Sequence, residues 1–82
     1  MIENEERNKM MVGIELERKQ KRITELKEEA KRLGEDARTN LERGHLNMSA
    51  QYAEKMAVAT REAHILEGEL NSMKELLSYL AG

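Results

Sequence analysis

Apolar residues recur along this chain at the three- and four-residue steps that set side chains on one face of an α-helix, and they do so in two separate runs. In the first run the apolar positions are Val12, Leu16, Ile23, Leu26, Ala30, Leu33 and Ala37, with Lys19 the one departure. A lysine stem can lie along an apolar seam while its ammonium stays in water, so the periodicity reads through Lys19. In the second run Tyr52, Met56, Ala59, Ala63, Leu66, Leu70, Met73, Leu77 and Leu80 hold every inward position without interruption. Two such stripes predict two long helices packed on one another.

The turn residues collect between them, in Arg43-Gly44-His45-Leu46-Asn47-Met48-Ser49. Gly44 can take the left-handed conformation that ends a helix, and His45 can hydrogen-bond its last carbonyls. Asn47 or Ser49 can cap the helix that follows. At the other end, Asn4 ahead of Glu5 and Glu6 predicts a helix start, with Ile2 placed as a staple residue. Gly13 and Gly34 fall inside the first helix, each costing about 1 kcal/mol relative to Ala. With no proline in the chain, continuation through both is expected. The organisation predicted is one helical-hairpin domain over residues 1–82, with helix 1 at about 4–43, the turn at about 44–48 and helix 2 at about 49–80.

A short connection makes two helices antiparallel neighbours. Reversal near residues 45–46 sets Val12 level with Leu80, Leu16 with Leu77, Ile23 with Leu70, Leu26 with Leu66, Ala30 with Ala63 and Ala37 with Met56, to within about one turn. The two alanines at mid-length let the backbones approach. The fold class expected is all-α, a two-helix antiparallel hairpin of coiled-coil type.

Charge divides this hairpin unequally. Residues 1–43 hold 11 basic and 11 acidic side chains against 13 apolar ones, whereas residues 44–82 hold 3 basic and 5 acidic against 19 apolar. A helix charged around most of its girth is solvated on most of it, and one that is half apolar is covered on more than one side. Two helices alone also make a thin core, and chains this short often need association to be stable. A second seam is therefore expected on helix 2. Val58, Ile65 and Tyr79 repeat at multiples of seven beside the main stripe, with Ala50, Ala57, Gly68 and Ser72 near them. Leu76 and Tyr79 are expected to face one region with Met10, Met11 and Ile14 at the open end, forming an interface patch. The hairpin is accordingly expected to dimerise into a four-helix bundle.

The remaining composition narrows the chemistry. The 82 residues include no Cys, Pro, Trp or Phe and two Tyr, and 37% are charged. Disulfide scaffolds, zinc ribbons, β-barrels and α/β nucleotide-binding domains are excluded by that content. The net charge of −2 favours neither nucleic acid nor an acidic membrane. The leading MIENEERNKMM is acidic and polar, unlike a secretion signal, and no apolar run approaches the ~18–20 residues of a membrane span. A soluble cytoplasmic protein is the expectation.

Candidate sites are few. Arg18-Lys19-Gln20-Lys21-Arg22 is the only basic cluster, and Arg18, Lys21 and Arg22 could meet an anion such as a nucleotide or RNA. Glu15 and Glu17 lie four residues ahead of Lys19 and Lys21, however, and Glu25, Glu28 and Glu29 follow, a pattern that solvates a helix face. No aromatic side chain stands near on which a base could stack. His64 and Glu67 are one turn apart and could share an ion, but helical di-metal sites place Glu before His and need a second copy. The hydroxyls show no triad-like grouping, and the five glycines are scattered singly. Met56 and Met73 are core by spacing, while Met10 and Met11 offer flexible thioethers suited to an adaptable surface.

In plan the chain resembles small helical-hairpin families, among them plasmid copy-control four-helix dimers and the hairpin co-chaperones of type III secretion needles. Arg43-Gly44 at the turn and Leu66-Glu67-Gly68 in helix 2 are similar to pieces of the latter. The spacing between those pieces differs and the Trp-x-Gly turn of the secreted hairpins is absent, so the resemblance assigns no family. The function expected is that of a non-enzymatic protein-interaction module, a small adaptor, chaperone or inhibitor. It would bind through helix 2 and the open end to a second copy, a protein partner or both, with no cofactor. The alternative is an assembly that takes an anionic ligand at residues 18–22.

Overall fold

The computed structural model describes residues 2–81, and the side chains of residues 6–80. Two helices, α1 (Ile2–Glu42) and α2 (Leu46–Ala81), account for nearly all of it and pack against one another along their length. The hairpin measures 63 × 18 × 13 Å. Its radius of gyration is 18.4 Å, against about 12 Å for a compact chain of this length.

The connection is shorter than the sequence suggests. Gly44, at φ +80°, donates its N–H to the Leu41 carbonyl at 3.0 Å, and His45 donates its N–H to the Asn40 carbonyl at 2.8 Å. These two bonds form a Schellman motif, which satisfies carbonyls that the end of a helix leaves unpaired. The His45 carbonyl then accepts the N–H of Ser49 at 2.9 Å, so the residue that closes α1 also opens α2. α2 therefore begins at Leu46, and Asn47 and Ser49 lie inside its first turn instead of capping it. Ser49 has a different use: its hydroxyl donates to the Ala37 carbonyl at 2.7 Å, tying α2 to the body of α1. At the other end, α1 already includes Ile2, which puts Asn4 within the helix; the side chains expected to cap and staple this start lie outside the described residues.

The tight turn sets the register. Leu26 is buried against Ala59 and Ala63, with Ala30 and Leu66 packed on the same cluster. Lys19 reaches Glu69 at 3.0 Å, and Gly34 lies under Met56. These levels centre the reversal on Gly44, about one turn tighter than a centre at residues 45–46 would give. Leu77 rather than Leu80 then comes level with Val12, and Leu80 is left 71% exposed beyond the core. Every other residue of the two stripes is buried or half-buried. Lys19 is half-buried along its stem, with its ammonium held by Glu69, as a snorkelling lysine should be. Both glycines of α1, Gly13 and Gly34, are passed without a break.

The core is thin. Among the described residues the buried side chains are Ile23, Leu26, Ala59, Ala63 and Leu70, while eleven large apolar side chains stand exposed.

Candidate interaction surface

Four of those exposed side chains share a simple relation to the core. Val58, Ile65, Leu76 and Tyr79 each precede a stripe residue directly: Ala59, Leu66, Leu77 and Leu80. One residue is a step of about 100° around a helix, so all four project from one flank of α2, beside the contact with α1 instead of opposite it. Val58 is 51%, Ile65 55%, Leu76 58% and Tyr79 84% exposed. On an isolated hairpin nothing covers them.

In an antiparallel pair, residues directly preceding core positions on either helix fall on the same flank. Met11 precedes Val12 and shares the flank of Leu76. Met10 and Ile14 do not: each lies two residues from a core position, about 200° around, and turns to the outer side of α1. They line one exposed hollow with Met11, Glu6 and Arg7. Met10, Met11 and Ile14 thus lie together as expected from the sequence, with Met11 the one of them on the flank of Leu76.

The rest of this flank is charged. Arg22, Glu29, Glu54, Lys55 and Glu62 border a shallow hollow beneath Val58. Arg18 pairs with Glu15 at 3.4 Å and Arg22 with Glu25 at 3.6 Å, all four groups in solvent. Lys21 is exposed and has no carboxylate within ion-pair distance among the described residues. Two of the three candidate anion contacts thus already sit beside carboxylates.

The opposite flank carries a feature that the sequence pattern did not single out. Ala30, Met56, Ala57, Thr60 and Ala63 line an open hollow along the groove between the helices, which runs past Arg61 and His64 around the outer side of α2 and ends at Ile65, so that Ile65 stands at the back edge of the first flank. It exists because Ala30 on α1 and Ala57 and Ala63 on α2 are too small to fill the groove, and these alanines were the available signal. Lys27 and Glu67 bridge the helices across it as an ion pair. The Glu67 oxygen engaged there, Oε1, is shut off from water. The Lys27 ammonium, hydrogen-bonded to Glu67, holds its carboxyl below the ordinary 4.5 against the opposing effect of desolvation, with added charge attraction from Lys27 and His64.

His64 is exposed and contributes to that field, and among the described residues no three His, Asp or Glu side chains converge as a metal-ligating group. At the turn, Asn40 donates its side-chain amide to the Asp36 carbonyl at 2.8 Å, leaving its oxygen to accept from His45 Nδ1 at 3.3 Å. His45 is thereby a structural residue of the turn. Among the described residues, no helix is long and apolar enough to cross a membrane. The chain matches no family model, no curated protein and no solved structure.

Proposed function

We propose that this chain is a non-enzymatic protein-interaction module, a small helical adaptor, chaperone or inhibitor, and that the flank of α2 is its docking face. One observation carries the reading: Val58, Ile65, Leu76 and Tyr79 project from one side of α2 that α1 leaves uncovered. A chain with so thin a core would hardly retain four large apolar side chains in water on one flank unless that flank is used. Solvated, carboxylate-rich α1 then serves as the support that orders α2. The reading takes the cytoplasm as its setting.

The test is affinity capture with the tagged chain followed by mass spectrometry, comparing wild type with Ile65→Asp. Circular dichroism first establishes that the variant keeps its helices. The expected result is a bound protein, or a second copy, retained by wild type and lost by Ile65→Asp. A set of bound proteins unchanged by Ile65→Asp and by Val58→Asp would remove the α2 flank from the account.

A further inference from the structure

We infer that the spacing of the two apolar stripes across the turn locks the chain as a hairpin. The form it shuts out is the straightened one, with α1 and α2 running on as a single helix and a second copy supplying each with its partner. The lock acts on the stripes and leaves the flank of α2 free, so it holds whatever that flank docks.

The straightened form is a natural competitor. Short hinges between packed elements invite exchange of those elements between copies. Here Arg43, Gly44 and His45 alone separate the two helices. An antiparallel second copy could remake the core at the same levels, Val12 beside Leu77 and Leu26 beside Ala63, because exchange leaves each pairing unchanged. The turn residues raise no barrier of their own. The chain has no proline, and a glycine takes helical φ as readily as the +80° of Gly44. Continuing the helix would also satisfy the carbonyls that the Schellman bonds now serve.

Phase is what opposes it. Ala37 and Met56, both half-buried in the seam, are nineteen residues apart. At about 100° per residue that is five turns and about 100° more. Asn40 and Tyr52, also half-buried, are twelve residues apart, three turns and about 120° more. One unbroken helix would therefore carry its two stripes about a third of a turn apart. Two straight antiparallel copies meet along a single seam, so each contact could turn inward only one of the two stripes that the hairpin brings together. The hairpin escapes this because the reversal at Gly44 lets each half set its own stripe against the other. One residue fewer removes the offset. The spacing from Ala37 to Met56 becomes eighteen, about five whole turns, or two heptads and a four-residue stutter that unwinds the seam locally.

The test compares deletion of Gly44 with Gly44→Ala. Both remove the turn glycine, and only the deletion corrects the phase. With no native cysteine in the chain, spin labels at Thr24→Cys and His64→Cys report the shape of one chain when diluted into unlabelled chain of the same variant. Both positions are exposed. In the hairpin they stand about 20 Å apart, on neighbouring helices whose axes are ~8–10 Å apart. In the straightened chain the intervening helix, at about 1.5 Å per residue, sets them about 60 Å apart. By double electron–electron resonance, wild type and Gly44→Ala should give the short distance. The deletion variant should give the long one, with helix content by circular dichroism as high as wild type. Inserting one alanine after Gly44 alters the turn as much but carries the stripes about 200° out of phase, and should keep the short distance. A long distance in Gly44→Ala or in the insertion variant would overturn the inference, because straightening would then not depend on phase. A short distance in the deletion variant, or loss of its helices, would overturn it equally, since correcting the phase would not have opened the straight form.

Discussion

The thioether of Met56 fills the space where a side chain at Gly34 would begin: a β-carbon built there would stand 2.9 Å from Sδ. Glycine is thus explained at this position by a neighbour, whereas at Gly13 nothing lies within 4 Å of the corresponding point. Replacing a helical glycine by alanine is worth about 1 kcal/mol in propensity. Gly13→Ala should raise thermal stability by about that amount, a shift of roughly 4–8 °C for a domain of this size. Gly34→Ala should gain less than half as much, because the flexible Met56 must move aside. Thermal denaturation at one fixed protein concentration checks both, and equal gains would show that Met56 yields without cost.

Gly44 has the left-handed conformation that the turn requires, at φ +80°. A β-carbon there meets no neighbour, so the penalty is one of backbone strain alone. Gly44→Ala should lose about 1–2 kcal/mol, and Gly44→Asn, which tolerates this conformation better, should lose less. Urea denaturation of the two variants measures the difference. Equal losses would mean that the Schellman bonds are not what holds the turn.

Leu26 is 2% exposed and packs on Ala59 and Ala63 at the centre of the hairpin. Leu26→Ala should cost about 2–5 kcal/mol, a large share of what so small a core can supply. Leu41, 57% exposed near the turn and away from the α2 flank, is the control. Leu41→Ala should fall within about 0.5 kcal/mol of wild type. Chemical denaturation separates the two.

The Lys27 contact holds the Glu67 carboxyl below 4.5 in the folded chain. A lowered carboxyl pKa means that the unfolded chain binds the proton more readily than the folded one. The contribution of this pair to stability is therefore fully present above 4.5 and is lost as pH falls through the folded value. In Lys27→Met the Glu67 titration should move upward, leaving a buried oxygen without its cation. An NMR pH titration of the Glu67 side-chain carboxyl reads this directly, and an unmoved midpoint would show that Lys27 is not the cause.

Arg18 and Arg22 each lie beside a carboxylate, Glu15 and Glu25. Contact with several phosphates would make affinity fall steeply with ionic strength. The expected outcome for wild type with single-stranded RNA or a nucleotide, followed by fluorescence anisotropy at low and moderate salt, is no saturable, salt-sensitive binding. Saturable binding that Arg18→Ala and Arg22→Ala abolish would restore the anion reading.

Much of the hairpin was legible in the residues, because helix periodicity is a local property. The stripes from Val12 to Ala37 and from Tyr52 to Leu77 face inward as their spacing requires, and Gly44 takes the backbone conformation expected of it. The uncovered positions Val58, Ile65, Leu76 and Tyr79 could also be read from their place beside the stripe. The cap was not legible. Asn47 and Ser49 are better capping residues than His45, but the Schellman bonds from Gly44 and His45 close α1 so abruptly that α2 starts before them.

By itself, then, the sequence determined the two helices, the site of reversal and the faces turned to one another, since each depends on neighbours within a few residues. The tertiary structure alone decided the register. That choice left Leu80 outside the core, joined Lys27 to Glu67, laid Met56 over Gly34 and opened the hollow at Ala30 and Ala63. The physical reason is the turn: its geometry and the interlocking of side chains across the groove set how far one helix slides along the other. Residues dozens of positions apart enter that balance, and no local period encodes it.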